Sequence, residues 1–137
     1  MDKSFFELNI QENVLARIKE IIDRKENCNC EYNVRGNSVW FQCFDRDTEL
    51  RLLTLGDYSM TISRVAFENK RCGTMTEILD VLLDVCRQQR IKKFVVQSVC
   101  TPEMASFCVK HNLKPDPTAS MQMDGYVCGD YVLVLSK

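Results

Sequence analysis

Residues Val65 to Thr76 read Val-Ala-Phe-Glu-Asn-Lys-Arg-Cys-Gly-Thr-Met-Thr, an apolar end followed by two cations, a glycine and two threonines. A strand that runs through such a loop into a helix suits an anion. The first-turn N–H groups of the helix have no partner within it and are free to meet a phosphate. Lys70 and Arg71 place two positive charges beside that helix start, and Gly73 lets a ligand approach the backbone closely. The same residues also fit an ordinary turn before a helix, with its charges in solvent. Metal chemistry is poorly provided for. His111 is the single histidine, and Cys28 and Cys30 form a C-x-C with no C-x-x-C anywhere, so no metal site is expected. The eight cysteines (Cys28, Cys30, Cys43, Cys72, Cys86, Cys100, Cys108, Cys128) are expected to be reduced thiols acting as small apolar groups. Disulfide frameworks belong to short secreted chains with weak cores.

The elements that must carry this loop are legible as patterns. Ile10, Val14, Leu15, Ile18, Ile21 and Ile22 recur at helical spacing, which predicts a helix over about Gln11 to Arg24, with Asn9 and Glu12 in the form of a capping box. Before it, Ser4 to Leu8 fits either a short first strand or a helical lead-in. Aromatic and aliphatic stretches at Ser38 to Phe44, Glu49 to Leu55 and Tyr58 to Phe67, parted by turn residues, predict an antiparallel meander. Cys30 to Val34 is a further candidate edge strand. Thr74 to Gln89 is a helix with Met75, Ile78, Leu79, Leu82, Leu83 and Cys86 on one face and a Thr74-x-x-Glu77 capping box. Lys92 to Val99 is a central strand, apolar on both faces. Thr101-Pro102-Glu103 opens another helix, which ends near Asn112. Ala119 to Met123 and Tyr131 to Leu135 close the chain as a hairpin.

Composition narrows the classes of function. The 137 residues suit one domain, and 45% hydrophobic with 27% charged residues is a globular composition. A net charge of -1 gives no excess of cations for a phosphate backbone, so nucleic acid is not an expected partner. No apolar run approaches the ~20 residues of a spanning helix, and the first residues lack the apolar core of a secretion signal. No membrane partner is expected, and the expected location is cytoplasmic.

Two segments carry a resemblance to a known family. Lys70 to Met75 resembles the acetyl-CoA pyrophosphate loop of the GNAT superfamily, R/Q-x-x-G-x-G/A between its fourth strand and third helix. Lys70 stands at the Arg or Gln position, Gly73 at the first Gly, and Met75 where Gly or Ala is usual; Ile78 and Leu79 fall on the family's paired leucines. Without a gap, Thr101 to Leu113 then resembles N-x-x-A-x-x-F-Y-x-K-x-G-F, with Phe107 and Lys110 matching, Thr101 for Asn and Leu113 for Phe. The likeness is clearest over Met60 to Leu113, and before Ser38 a second helix usual in the family is hard to find.

The resemblance implies an α/β (α+β) fold, a mixed and mostly antiparallel central sheet flanked by helices, in one domain over residues 1–137. It implies acetyl-CoA, or another acyl-CoA, held between splayed fourth and fifth strands. Pantetheine would pair with the backbone from Arg64 through Val65 and Ala66 to Phe67, and the pyrophosphate would meet the N–H groups of Arg71, Cys72, Gly73, Thr74, Met75 and Thr76, with Lys70 beside them. An unidentified amine would attack the thioester directly. Cys108 falls on the position of the family's Tyr, the usual acid for the leaving thiolate, with Tyr126 or Tyr131 as substitutes. Glu68 is the acid nearest the cleft for the role of base, and His111 has a suitable titration range. The alternative is a GNAT-like binding or regulatory module without catalysis. Either form would be a monomer or a homodimer.

Overall fold

Leu15, Ile18, Ile21 and Ile22 repeat at helical spacing and are buried along helix α1 (Glu12–Glu26). The helix ends two residues beyond the expected Arg24, where Asn27 turns left-handed (φ 52°) and its N–H reaches the Asp23 carbonyl. The computed structural model describes residues 5–70 and 72–135. Asn9 is not the cap of α1: Gln11 stands there without a side-chain bond. Asn9 is buried instead, its N–H on Thr54 Oγ1 (2.8 Å) and its Nδ2 on the Gly56 carbonyl (3.1 Å). Residues 5–8 form turn and irregular backbone where a short strand was one of the two expectations, and Ser4 lies outside the described residues.

The meander is present as β1 (Glu31–Arg35), β2 (Ser38–Cys43), β3 (Thr48–Leu55) and β4 (Ser59–Ala66), each antiparallel to the next. In β2 and β3 every second residue is buried (Val39, Phe41, Cys43; Thr48, Leu50, Leu52, Thr54), the period of a strand with one covered face. Helix α2 (Thr74–Gln89) has the bounds its periodicity predicts and packs on α1. Its cap is Gly73 rather than Thr74, and Thr74 is buried in the first turn. Glu77 is used elsewhere, in ion pairs with Arg24 and Lys25 of α1.

Strand β5 (Lys93–Val99) lies parallel to β4. Helix α3 (Pro102–Lys110) starts as its sequence predicts, with Thr101 Oγ1 accepting the Met104 N–H at 3.2 Å and proline in the first turn. The closing hairpin is longer than expected: β6 (Lys114–Gln122) and β7 (Val127–Val134). Strand β6 carries Lys, Asp and two prolines with no apolar alternation, because it is an edge strand, where proline and charge are tolerated. The sheet order is β1-β2-β3-β4-β5-β7-β6, and among the described residues only β4 with β5 is a parallel pair of neighbours. The fold is therefore α/β with a mixed, mostly antiparallel sheet flanked by helices. Cys28 and Cys43 form a disulfide, with Cα atoms 6.8 Å apart, which corrects the expectation of eight reduced thiols. Cys30, Cys86 and Cys108 are buried free thiols.

Candidate functional site

The parallel pairing of β4 with β5 covers only Ser59 to Ile62 against Lys93 to Val96. Both strands leave register just beyond that point. On β4, Ile62 faces Leu52 and Arg64 faces Arg51, so Ser63 is an extra residue that bulges from the ladder with β3. On β5, Val96 faces Tyr131 but Val99 faces Gly129, which again leaves one residue over, and Ser98 has φ 56°. The Ser98 N–H is held by Asp130 Oδ1 at 2.9 Å. Past Ile62 the backbone of β4 stays paired with β3 through Val65 and Ala66 but has no β5 partner on its other side. An unpaired strand edge of this kind offers alternating N–H and C=O groups to an extended ligand that carries amides.

The opening leads into a cleft of about 580 Å³, within the range of ligand pockets. Its walls include the end of β4, the loop to α2, the first turn of α2 and the start of α3. Val65, Ala66, Phe67, Lys70, Cys72, Gly73, Thr74, Met75 and Thr76 all line it, nine of the ten residues read as a cofactor loop. Arg71, the tenth, lies outside the described residues. Asn69 on the loop, Thr101 at the cap of α3, and Glu103, Met104 and Phe107 on α3 complete the lining. The α3 wall was not assigned from sequence, although Phe107 stands in the second motif. Gly73 has φ 80°, a backbone that side chains rarely adopt, and the nearest atom to a Cβ built there is Lys25 Nζ at 3.9 Å. Lys25 donates to the Cys72 carbonyl (2.5 Å) and pairs with Glu77 Oε2 (3.1 Å), so a cation from α1 stands behind the loop. Nothing in the spacing of Lys25 marks it as a neighbour of Gly73, because 47 residues separate it from Cys72.

The residues read as acid and base do not line the cleft. Glu68 is exposed on the loop, and its Oε2 accepts the Asp47 N–H at 2.8 Å, at the β2–β3 turn. Cys108 is 0% exposed, and burial pushes its thiol up to about 12. Tyr126 donates its hydroxyl to the Cys100 carbonyl at 2.9 Å, just past the end of β5. Tyr131 is buried, with its hydroxyl on the Val127 carbonyl at 2.7 Å. His111 sits at the end of α3 with its ring 4.4 Å from that of Phe107, behind the cleft wall.

No protein-family model matches the chain, and no curated protein sequence matches it. Solved structures do resemble it. A probable acetyltransferase (GNAT family) from Chromobacterium violaceum superposes with a TM-score of 0.53 at 12% identity, over 72% of this chain and 57% of that one. This chain thus spans little more than half the length of that protein. Ard1 from Thermoplasma volcanium gives 0.52 at 11% identity, over 93% of this chain and 82% of that one. Arabidopsis thaliana Naa50, solved in complex with the bisubstrate analogue CoA-Ac-MVNAL, gives 0.51 at 12% identity, over 98% of each chain. Identity this low speaks to architecture alone, and the architecture of this chain is a divergent form of the GNAT acetyltransferase fold.

Proposed function

We propose that the cleft binds an acyl-CoA, acetyl-CoA in the first instance, and that the protein transfers the acetyl group directly to an amine. The observation that carries this reading is the splay of β4 from β5 at Ser63 and Ser98, which opens an unpaired strand edge leading into the α2 first turn. The β4 edge suits the two amides of pantetheine. The first-turn N–H groups of α2, with Lys70 and Lys25 close by, suit a diphosphate. A bound thioester would then present its carbonyl where the two strands part. Amine attack forms the N–C bond and breaks the C–S bond; the amine gives up one proton and the departing thiolate takes one. The chain's part is to fix the two reactants in reacting geometry and to supply the second proton.

In this reading Cys108 supplies no proton, because burial hides its thiol and pushes it up to about 12. Tyr126 is the candidate for that role: its hydroxyl lies outside the cleft lining, on the Cys100 carbonyl next to the end of β5, and would have to leave that carbonyl to reach the thiolate. Glu68 is left with the β2–β3 turn, and the amine proton goes to solvent.

That withdrawal of Cys108 also favours the second reading, a module that holds acyl-CoA without turning it over. The readings separate on release of free CoA from acetyl-CoA in the presence of a panel of amines. A transferase releases CoA in proportion to acetylated amine, and a binding module releases none.

Both rest on the cofactor, so the first test is a thermal shift with acetyl-CoA and with CoA. Ligand at a hundredfold excess over Kd stabilises the fold by about 2.7 kcal/mol, a rise of several degrees for a domain of this size. Gly73→Val should abolish the rise, because it puts a branched side chain at a positive φ in the loop, which strains the backbone that would meet the ligand. No rise at millimolar ligand would end both readings.

A further inference from the structure

Glu26, the last residue of α1, is a carboxylate with 0% exposure, and it is spent on the loop that lines the cleft. Its Oε1 accepts the Thr48 hydroxyl and, at 2.8 Å, the backbone N–H of Glu68. Its Oε2 accepts the backbone N–H of Asn69, also at 2.8 Å. The main chain around it is tied in as well. Asn69 Nδ2 donates to the Lys25 carbonyl (2.8 Å), Arg46 Nη1 donates to the Glu26 carbonyl (2.5 Å), and Lys25 Nζ reaches the Cys72 carbonyl. The last turn of α1 therefore grips the β4–α2 loop at both of its ends, Glu68–Asn69 and Cys72.

A buried charge is retained only where its partners satisfy it, and three donors here do so. The arrangement fixes the direction of the loop. With the N–H groups of Glu68 and Asn69 turned onto Glu26, they are withdrawn from any ligand, and the chain is set to enter α2 through Gly73. We infer that Glu26 is a positioning residue for the loop that would hold the acyl-CoA diphosphate, acting through the backbone of Glu68 and Asn69 without touching the ligand. This rests on the acyl-CoA reading for the identity of the ligand, and on the hydrogen bonds alone for the hold on the loop.

The test compares wild type with Glu26→Gln, whose carboxamide sets an NH₂ against one of the three donors. Amide hydrogen exchange of the free protein reads the loop, and NMR titration with acetyl-CoA and with S-acetylpantetheine, which lacks the diphosphate, reads the site. We expect the Glu68 and Asn69 amides to exchange about tenfold faster or more, with those of β2 and the first turns of α1 unchanged. We expect the Kd for acetyl-CoA to rise by about tenfold and that for S-acetylpantetheine to stay within about twofold. Unchanged exchange at both amides overturns the proposal, and so does equal weakening of the two ligands, which marks a general loosening. A wild type that binds neither ligand overturns the acyl-CoA reading and the assignment of Glu26 to that ligand; the exchange measurement still decides whether Glu26 holds the loop. If Glu26→Gln does not fold, Glu26→Asp keeps the charge and both oxygens one methylene short, and the same two outcomes apply in smaller degree.

Discussion

At the scale of single residues, burial decides which groups have chemistry available. Cys30, Cys86 and Cys108 have thiols pushed up to about 12, chiefly by desolvation, from an ordinary 9.0. The native state keeps these protons after the unfolded chain has released its own, so the contribution of the three thiols to stability is complete below pH 9 and is lost as pH rises toward 12. Urea denaturation across that window should show wild type losing more stability than Cys108→Ala; parallel curves would mean that water reaches the thiol. Tyr126 is the complementary case, a phenol placed next to the end of β5. In the transferase reading Tyr126→Phe lowers kcat by about 100-fold while the Kd for acetyl-CoA holds. An unchanged kcat would remove it from the reaction. The burial of Cys108 agrees with the reading of the cysteines as small apolar groups, whereas the setting of Tyr126 was not legible in sequence, since exposure is not written in a motif frame. Asn112, just past the end of α3, adopts φ 70°, a conformation asparagine tolerates.

At the scale of elements, strong periodicity was a reliable guide and weak periodicity was not. Helix α2 has the predicted bounds because its apolar face is continuous against the sheet and α1. Strand β6 was underestimated because its residues are mostly solvent-facing, and an edge strand needs no apolar alternation to pair. Both predicted capping boxes gave way to tertiary demands: Asn9 is drawn to Thr54 and Gly56, and Glu77 to Arg24 and Lys25. Strand β7 depends on Gly129, at φ 127°, where an added Cβ would lie 2.6 Å from Ser120 Cα on β6. Gly129→Ala should destabilise the fold by roughly 1–3 kcal/mol, through backbone strain and displacement of β6. Urea midpoints measure this, and a loss under about 0.5 kcal/mol would show that β6 yields freely.

At the scale of the molecule, the Cys28–Cys43 disulfide closes the segment between the end of α1 and the end of β2, a sequence separation of 15. A cross-link over such a loop contributes about 3 kcal/mol by restricting the unfolded chain. Reduction, or Cys28→Ser, should lower Tm by several degrees; an unchanged Tm would mean that the two thiols are not joined in solution. Sequence alone determined the three helices, the order of the main strands and the loop from Val65 to Thr76, because apolar period, turn residues and glycine act on neighbours along the chain. It also carried the resemblance to the GNAT loop, and nine of the ten residues read from it line one cleft. Only the tertiary structure decided the rest: the join of Cys28 to Cys43, the use of Lys25 and Glu26 as struts of a loop some forty residues on, and the α3 wall of the cleft. Each of these is a contact between groups far apart in sequence, and such contacts leave no period or spacing in the chain that makes them.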